Sequence, residues 1–335
     1  MMKAERLRSG NYRVKVYLGT VEGKKRFISV TAPTKEEAEK RANVLRGKDW
    51  AIMTVEDACQ VFLTMRGTEI SPATLRGYEG TMRKYILPDI ISGIKLGKLS
   101  SPHVQTWLNK MDVSRKTKQN HLGFLTAALG FVGFEKRLKL RIAEEEPKAL
   151  YTPTISEVNA VLDILDDETH LAACFACLGL RRSEICALRR EDIDGRFVMI
   201  TKDVVKKSSG EWVSKLTKTQ KSRRAVEIPP ELIDLLPDEG RLISCSPDCI
   251  TNRFARAVKK SGVHPFRFHD LRSFSASSML SELKVARSTA KSLHGWKTDR
   301  MLDQHYDREI SDVKARDEEK IIKFISSNIH IRRNG

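Results

Sequence analysis

Four short groups of residues in the second half of the chain carry side chains suited to an anionic centre. The first is Gly179-Leu180-Arg181-Arg182-Ser183-Glu184-Ile185-Cys186-Ala187-Leu188. An apolar helix over Leu171 to Leu178 ends at Gly179, and Arg181 emerges where the next element starts. By itself such an Arg reads equally well as a surface charge. The second is Leu216-Thr217-Lys218-Thr219-Gln220-Lys221-Ser222-Arg223-Arg224-Ala225-Val226, between the strand-like runs Trp212 to Leu216 and Ala225 to Ile228. Lys218 is therefore expected at a hairpin tip, where a flexible ammonium can reach a leaving oxygen. Taken singly, it is an ordinary solvated lysine.

The third group, His269-Asp270-Leu271-Arg272-Ser273, sets His269 and Arg272 three residues apart on one face of a helical turn. An imidazole that exchanges protons near neutral pH, beside a permanent guanidinium, suits a phosphate-like reacting centre. A capping His and a surface Arg is the plainer reading of the same pair. The fourth is Leu293-His294-Gly295-Trp296, followed by Tyr306 within Gln304-His305-Tyr306-Asp307-Arg308. A lone Tyr is usually packing, so its weight as a nucleophile comes from the other three groups. Cys174-x-x-Cys177 has no second pair and sits in an apolar helix, which favours buried packing over zinc. Glu191-Asp192-Ile193-Asp194 reads as a solvated turn before the strand Phe197–Ile200, and no Gly-rich nucleotide loop is present.

The chain has 335 residues with 60 Lys+Arg against 43 Asp+Glu, a formal net charge of +17. At this length two or three domains are expected. Its apolar and charged fractions are those of a globular protein, its longest apolar run is too short to cross a membrane, and six cysteines are too few for a disulfide scaffold. The first residues lack a signal peptide's apolar stretch, so a cytoplasmic location is expected, with no membrane partner. The excess positive charge points to a polyanion. It is densest in residues 1–50, where 13 Lys+Arg face 6 Asp+Glu.

Several elements must position these groups. Arg13 to Leu18 alternates basic and apolar as a half-exposed strand, Glu22-Gly23 turns, and Lys24 to Ala32 returns. Thr34-Lys35-Glu36-Glu37 is a capping box that opens a helix to about Arg46. Arg13, Lys15, Lys24, Lys25 and Arg26 would project from this small sheet toward a DNA groove, where each neutralised phosphate releases counterions. From Thr54 to about Leu140 the pattern is helical. Ser71-Pro72 and Ser101-Pro102 set a cap residue before Pro, and Leu75, Tyr78, Met82 and Tyr85 face a core. Ser114 opens a helix whose first turn carries Arg115, Lys116 and Lys118 against the helix dipole, a cost that a nearby phosphate would offset. Glu144-Glu145-Glu146-Pro147 reads as a linker. A second capping box at Thr154-Ile155-Ser156-Glu157 starts the last domain.

Together the four groups resemble the tyrosine recombinase (phage integrase) family, whose pattern is Arg-x-x-Glu, a Lys, His-x-x-Arg, a His or Trp, and a nucleophilic Tyr. All five elements occur in order from Arg181 to Tyr306. The resemblance implies a multidomain α+β chain in three parts: residues 1–50 as a small sheet-plus-helix arm-site DNA-binding domain, 51–148 as an all-α, SAM-like core-site domain, and 149–335 as a mainly α catalytic domain with a small antiparallel sheet and a C-terminal tail. It implies Tyr306 as the nucleophile forming a 3′-phosphotyrosyl link, and Arg181 and Arg272 holding the non-bridging oxygens. Lys218 matches the general acid for the 5′-oxygen, His269 a proton-transfer aid, and Glu184 a supporting residue. Trp296 stands where most members have His; its indole can donate to phosphate but cannot accept a proton. His294 and His305 are rival candidates for that position, and Arg182 for that of Arg181.

The family also implies double-stranded DNA attachment sites as substrate, a homotetramer on DNA, and a host bending factor and an excisionase as further partners. Neither metal nor nucleotide cofactor is implied, because the covalent link conserves the phosphodiester's energy. The tail, with Ile321, Ile322, Phe324 and Ile325, would dock on a neighbouring subunit. A type IB topoisomerase and a noncatalytic DNA-binding protein are the competing readings.

Overall fold

The structure is a computed structural model that describes residues 4–21, 23–45, 49–50, 52–145, 151–216, 223–296 and 298. Two compact units divide the chain: the first holds residues 1–147 with 206–211, the second 148–205 and the chain from 212 on.

In the first unit a short β1 (Glu5–Arg6), β2 (Tyr12–Val21) and β3 (Lys24–Ala32) form an antiparallel sheet in that order. Val14, Val16 and Leu18 on β2 and Ile28, Val30 and Ala32 on β3 turn inward, which strict alternation requires of a sheet with one wet face. Helix α1 (Lys35–Val44) covers that inner face through Ala38 and Ala42, and the Thr34 side chain caps it by accepting the Glu37 N–H. The helix stops at Val44, two residues before the expected end.

Four helices complete this unit: α2 (Val55–Arg66), α3 (Pro72–Thr81), α4 (Ser101–Asn109) and α5 (Arg115–Phe131). Thr54 and Asp57 form a reciprocal capping box on α2, and Ser71 and Ser114 cap α3 and α5. At α4 the cap is Ser100, while Ser101 is already helical. Both serines precede Pro102, so the sequence pattern does not separate them; the Ser101 hydroxyl instead accepts the Lys139 N–H at 2.9 Å. The chain leaves the helical pattern after Phe131, turns at 132–133 and has no regular secondary structure from 134 to 145.

Phe62 meets Phe124 edge-on at 6.1 Å and Tyr78 stacks on Phe124 at 4.7 Å. Burying each such ring stabilises by about 2–3 kcal/mol. Sheet and helices share one core: the Trp50 indole N–H donates to the Val132 carbonyl at 2.9 Å, and Arg41 donates to the Met65 carbonyl at 3.2 Å.

The second unit opens with α6 (Ile155–Leu162), whose Thr154–Glu157 capping box is reciprocal. It continues through α7 (Asp167–Cys177) and a single-turn α8 (Arg182–Ile185). The strands are β4 (Ile193–Asp194), β5 (Phe197–Ile200), β6 (Lys202–Lys206), β7 (Trp212–Leu216) and β8 (Arg224–Glu227). Helices α9 (Pro230–Ile233), α10 (Pro247–Ser261), α11 (Asp270–Ser277) and α12 (Arg287–His294) follow. Val198, Ile200 and Val226 turn inward onto Phe175, Leu180, Phe254 and Leu271.

The expected hairpin around Lys218 takes another form. Strand β7 pairs with β6, and β8 pairs with β5, so the strands flanking residues 217–222 belong to different sheets. Alternation locates strands but does not choose their partners. Among the described residues no helix is long and apolar enough to cross a membrane.

Candidate active site

The described site residues converge where α7 ends, α8 begins and α12 ends. Gly179 takes φ of +89°, which breaks α7 and turns the chain into Arg181. A side chain there would be strained, and its Cβ would lie 3.1 Å from the His294 ring. Glu184, on the turn that follows, is buried and accepts the Arg181 backbone N–H at 2.7 Å and the Arg181 Nη1 at 2.6 Å. Arg181 Nη2 donates to the Gly295 carbonyl at 3.1 Å. The Arg181 side chain is held at both Nη atoms and remains 36% exposed. Arg182 is engaged elsewhere, donating to the Pro247 carbonyl and the Thr251 hydroxyl at the start of α10.

Arg272 lies on the first turn of α11 and is 3% exposed. It donates to the carbonyls of Gly179 and His294, tying α11 to both chain reversals. Burial first, then Arg181 and Arg224, push its pKa down to about 8. An anion bound in the site would relieve that pressure. His269, one residue before α11, keeps an exposed edge. Desolvation first, then Arg272, lower its pKa, which favours the neutral, proton-accepting imidazole. Asp270 holds this turn by accepting the Arg267 backbone N–H at 2.8 Å.

The Leu293-His294-Gly295-Trp296 segment sits directly against these arginines. Trp296 is buried, its ring stacked on that of His294 with centroids 4.5 Å apart. His294 is wholly buried, with Nδ1 2.9 Å from the Ala290 carbonyl. Burial first, and then Arg272, press its pKa down to about 3. It is a neutral packing group stacked against Trp296. Lys218, His305 and Tyr306 lie outside the described residues.

One participant escapes sequence inspection. Arg224, on β8, has a side chain only 5% exposed and contacts both Glu184 oxygens, at 2.8 and 3.2 Å. Its Nε donates to the Leu293 carbonyl at 2.7 Å. The signal was the parity of β8: inward Val226 places Arg224, and not the exposed Arg223, on the inner face. Burial would raise the Glu184 carboxyl, but Arg224 and then Arg181 carry it below its ordinary value, so Glu184 is an anion among cations. The thiol of Cys177 is pushed up to about 12 by burial, which disfavours a thiolate ligand. No group of three or more His, Cys, Asp or Glu is placed to hold a metal ion among the described residues.

The DNA-binding candidates fall in two places on the first unit. Lys15 and Lys25 are exposed on the outer face of the sheet, beside the Tyr17–Phe27 pair at 5.4 Å. Arg13 shares that face and pairs with Glu5 at 2.8 Å. Lys24 and Arg26 belong to β3, with Lys24 opposite Val21. At the start of α5, Arg115 is met by carboxylates of its own unit. Glu145 accepts its backbone N–H, and Glu144 lies 3.5 Å from its guanidinium. Lys116 is exposed and Lys118 half-buried on the same turn.

The sequence and the fold both have known relatives. Residues 54–111 match the phage integrase N-terminal SAM-like domain, and residues 154–311 match the phage integrase family. A tyrosine recombinase XerC-like protein of Caldanaerobacter subterraneus subsp. tengcongensis is 27% identical over 265 residues, covering 68% of this chain and 67% of the relative. The fold is that of the Tn1549 transposon integrase, solved with transposon right end DNA, at a TM-score of 0.67 and 17% identity over 81% of this chain and all of that one. Lambda integrase, solved as a tetramer bound to a Holliday junction, aligns over 91% of this chain and 95% of its own at a TM-score of 0.59 and 18% identity. The family matches, together with the fold, define a site-specific DNA strand transferase of the tyrosine recombinase class. The chain belongs to the phage integrase family. This supports recombination over the topoisomerase and architectural readings.

Proposed function

We propose that this chain integrates and excises a mobile element by cutting and rejoining double-stranded DNA at paired attachment sites through Tyr306. The observation that carries the reading is the grouping of Arg181 and Arg272 around two chain reversals, one at Gly179 and one at His294–Gly295. Two guanidinium groups so placed can bind the non-bridging oxygens of one phosphate and stabilise the charge that grows there in the transition state. The Tyr306 oxygen attacks phosphorus, its phenolic proton passing to a base, for which neutral His269 is suited. The bond from phosphorus to the 5′-oxygen breaks, and Lys218 protonates the departing oxygen. Trp296 packs beneath the cations and donates its N–H toward the phosphate. A 5′-hydroxyl of the partner strand then reverses these steps, displacing Tyr306 and restoring a phosphodiester. Neither metal nor nucleotide enters this scheme.

In this reading residues 1–50 bind arm sites, 51–148 bind the core site and 149–335 carry the chemistry. A homotetramer on DNA, the cytoplasm of a bacterial host, a host bending factor and an excisionase belong to the same proposal, as does docking of the tail onto a neighbouring subunit. The test is capture of a covalent protein–DNA adduct on candidate attachment-site DNA. Wild type should form it, and Tyr306→Phe should bind the same DNA and form none. An adduct that persists in Tyr306→Phe removes Tyr306 as the nucleophile.

A further inference from the structure

We infer that Arg224 is a positioning residue for strand cleavage, holding Glu184 so that Glu184 can aim Arg181 at the scissile phosphate without cancelling its charge. This rests on the reading of the site as phosphate-binding. Each Glu184 oxygen is shared. Oε1 accepts Nη1 of Arg181 at 2.6 Å and Nη1 of Arg224 at 3.2 Å; Oε2 accepts the Arg181 backbone N–H at 2.7 Å and Nη2 of Arg224 at 2.8 Å. A buried carboxylate paired with Arg181 alone would neutralise the group that must face the substrate. With Arg224 present, Arg181, Arg224 and Arg272 surround one carboxylate, and the cluster keeps a formal excess of two positive charges.

The planar fork of Arg224 has a second task. Its Nε reaches the Leu293 carbonyl, at the end of α12, at 2.7 Å. It therefore ties β8 and α8 to the Gly295–Trp296 turn. That turn favours glycine: Gly295 has φ of +57°, and a Cβ there would press on Arg224 Nη1 at 3.0 Å. Lysine could supply the charge but not three directed donors in one plane.

The experiment compares single-turnover cleavage at saturating attachment-site DNA with DNA affinity and thermal melting in full-length protein. Arg224→Lys should slow cleavage roughly 100-fold, the scale for losing one preorganised contact to the transition state, while affinity changes less than about threefold. Its effect should pass through Arg181. In an Arg181→Lys background, adding Arg224→Lys should cost less than about threefold more. Wild-type cleavage by Arg224→Lys, or full multiplication of the two defects, would overturn the assignment.

If Arg224→Lys fails to fold, Glu184→Met with Arg224→Met replaces the buried pair by apolar groups of similar volume, which the fold tolerates better than one unpaired charge. That folded double variant should cleave poorly; cleavage at the wild-type rate counts against the inference. Should wild type itself give no adduct, the strand-transfer reading fails separately. Solvent exchange of the Arg181 backbone amide proton, which Glu184 Oε2 accepts at 2.7 Å, still reports on Arg224 by NMR. It should quicken in Arg224→Lys, and an unchanged rate counts against the positioning role.

Discussion

The guanidinium carbon of Arg272 lies 5.3 Å from the centre of the Trp296 ring, within the range of a cation–π contact. The most buried cation of the site therefore rests on the Trp296 ring. Trp296→Phe keeps an aromatic face and removes the N–H. It should slow cleavage about tenfold to 100-fold with little change in melting temperature, and Trp296→His should recover most of the rate. Trp296→Ala should also destabilise by about 3 kcal/mol. Single-turnover cleavage and thermal melting separate the two effects; equal rates for Trp296→Phe and wild type would leave the indole N–H without a role.

His294 makes stability depend on pH. Its folded pKa is pushed down to about 3, whereas an unfolded His titrates near 6.5. Above that value both states are neutral and the contribution is fully present. As pH falls below it, the unfolded chain takes a proton that the folded chain refuses, and stability drops by about 2 kcal/mol by pH 5. The gap in unfolding free energy between wild type and His294→Leu should narrow by that amount between pH 7 and 5. A pH-independent gap would show that His294 is not the group responsible.

His269 should shape the rate rather than the stability. Desolvation and Arg272 lower its pKa, so it is already neutral at pH 7. Cleavage should lose rate only as pH drops below the ordinary histidine value of about 6.5, and His269→Gln should be slower and lack this acid limb. An acid limb that survives the substitution would assign the proton transfer to another group.

On the sheet, the charges differ in availability. Lys15 and Lys25 are exposed, whereas Arg13 is already paired with Glu5 at 2.8 Å. Lys15→Ala with Lys25→Ala should reduce the slope of log affinity against log salt by about two on arm-site DNA. Arg13→Ala should change it less, and Glu5→Gln should tighten binding. Titrations at several salt concentrations read all three; an unchanged slope in the double variant would take DNA off this face.

The candidate chemistry was legible because it depends on residue types in order along the chain. Arg181, Glu184, His269, Arg272 and Trp296 were singled out from spacing and family resemblance, and the structure groups them around two chain reversals. Helix starts were legible for a similar reason: Thr34, Thr54, Ser71, Ser114 and Thr154 each satisfy the N–H three residues on, an interaction wholly local in sequence. Strand partners were not legible. The apolar alternation of β7 and β8 suits any neighbour, and only tertiary packing assigned β7 to β6 and β8 to β5. Arg224 stayed hidden because its meaning lies in Glu184, 40 residues away, and in the Leu293 carbonyl, 69 residues away. Backbone acceptors such as Gly179, Leu293 and Gly295 carry no signature in their side chains. The sequence by itself determined which groups could bind and turn over a phosphate. The tertiary structure decided which cations are buried, which carboxylate they share and which remains open to a ligand, because desolvation and charge pairing depend on distance through space.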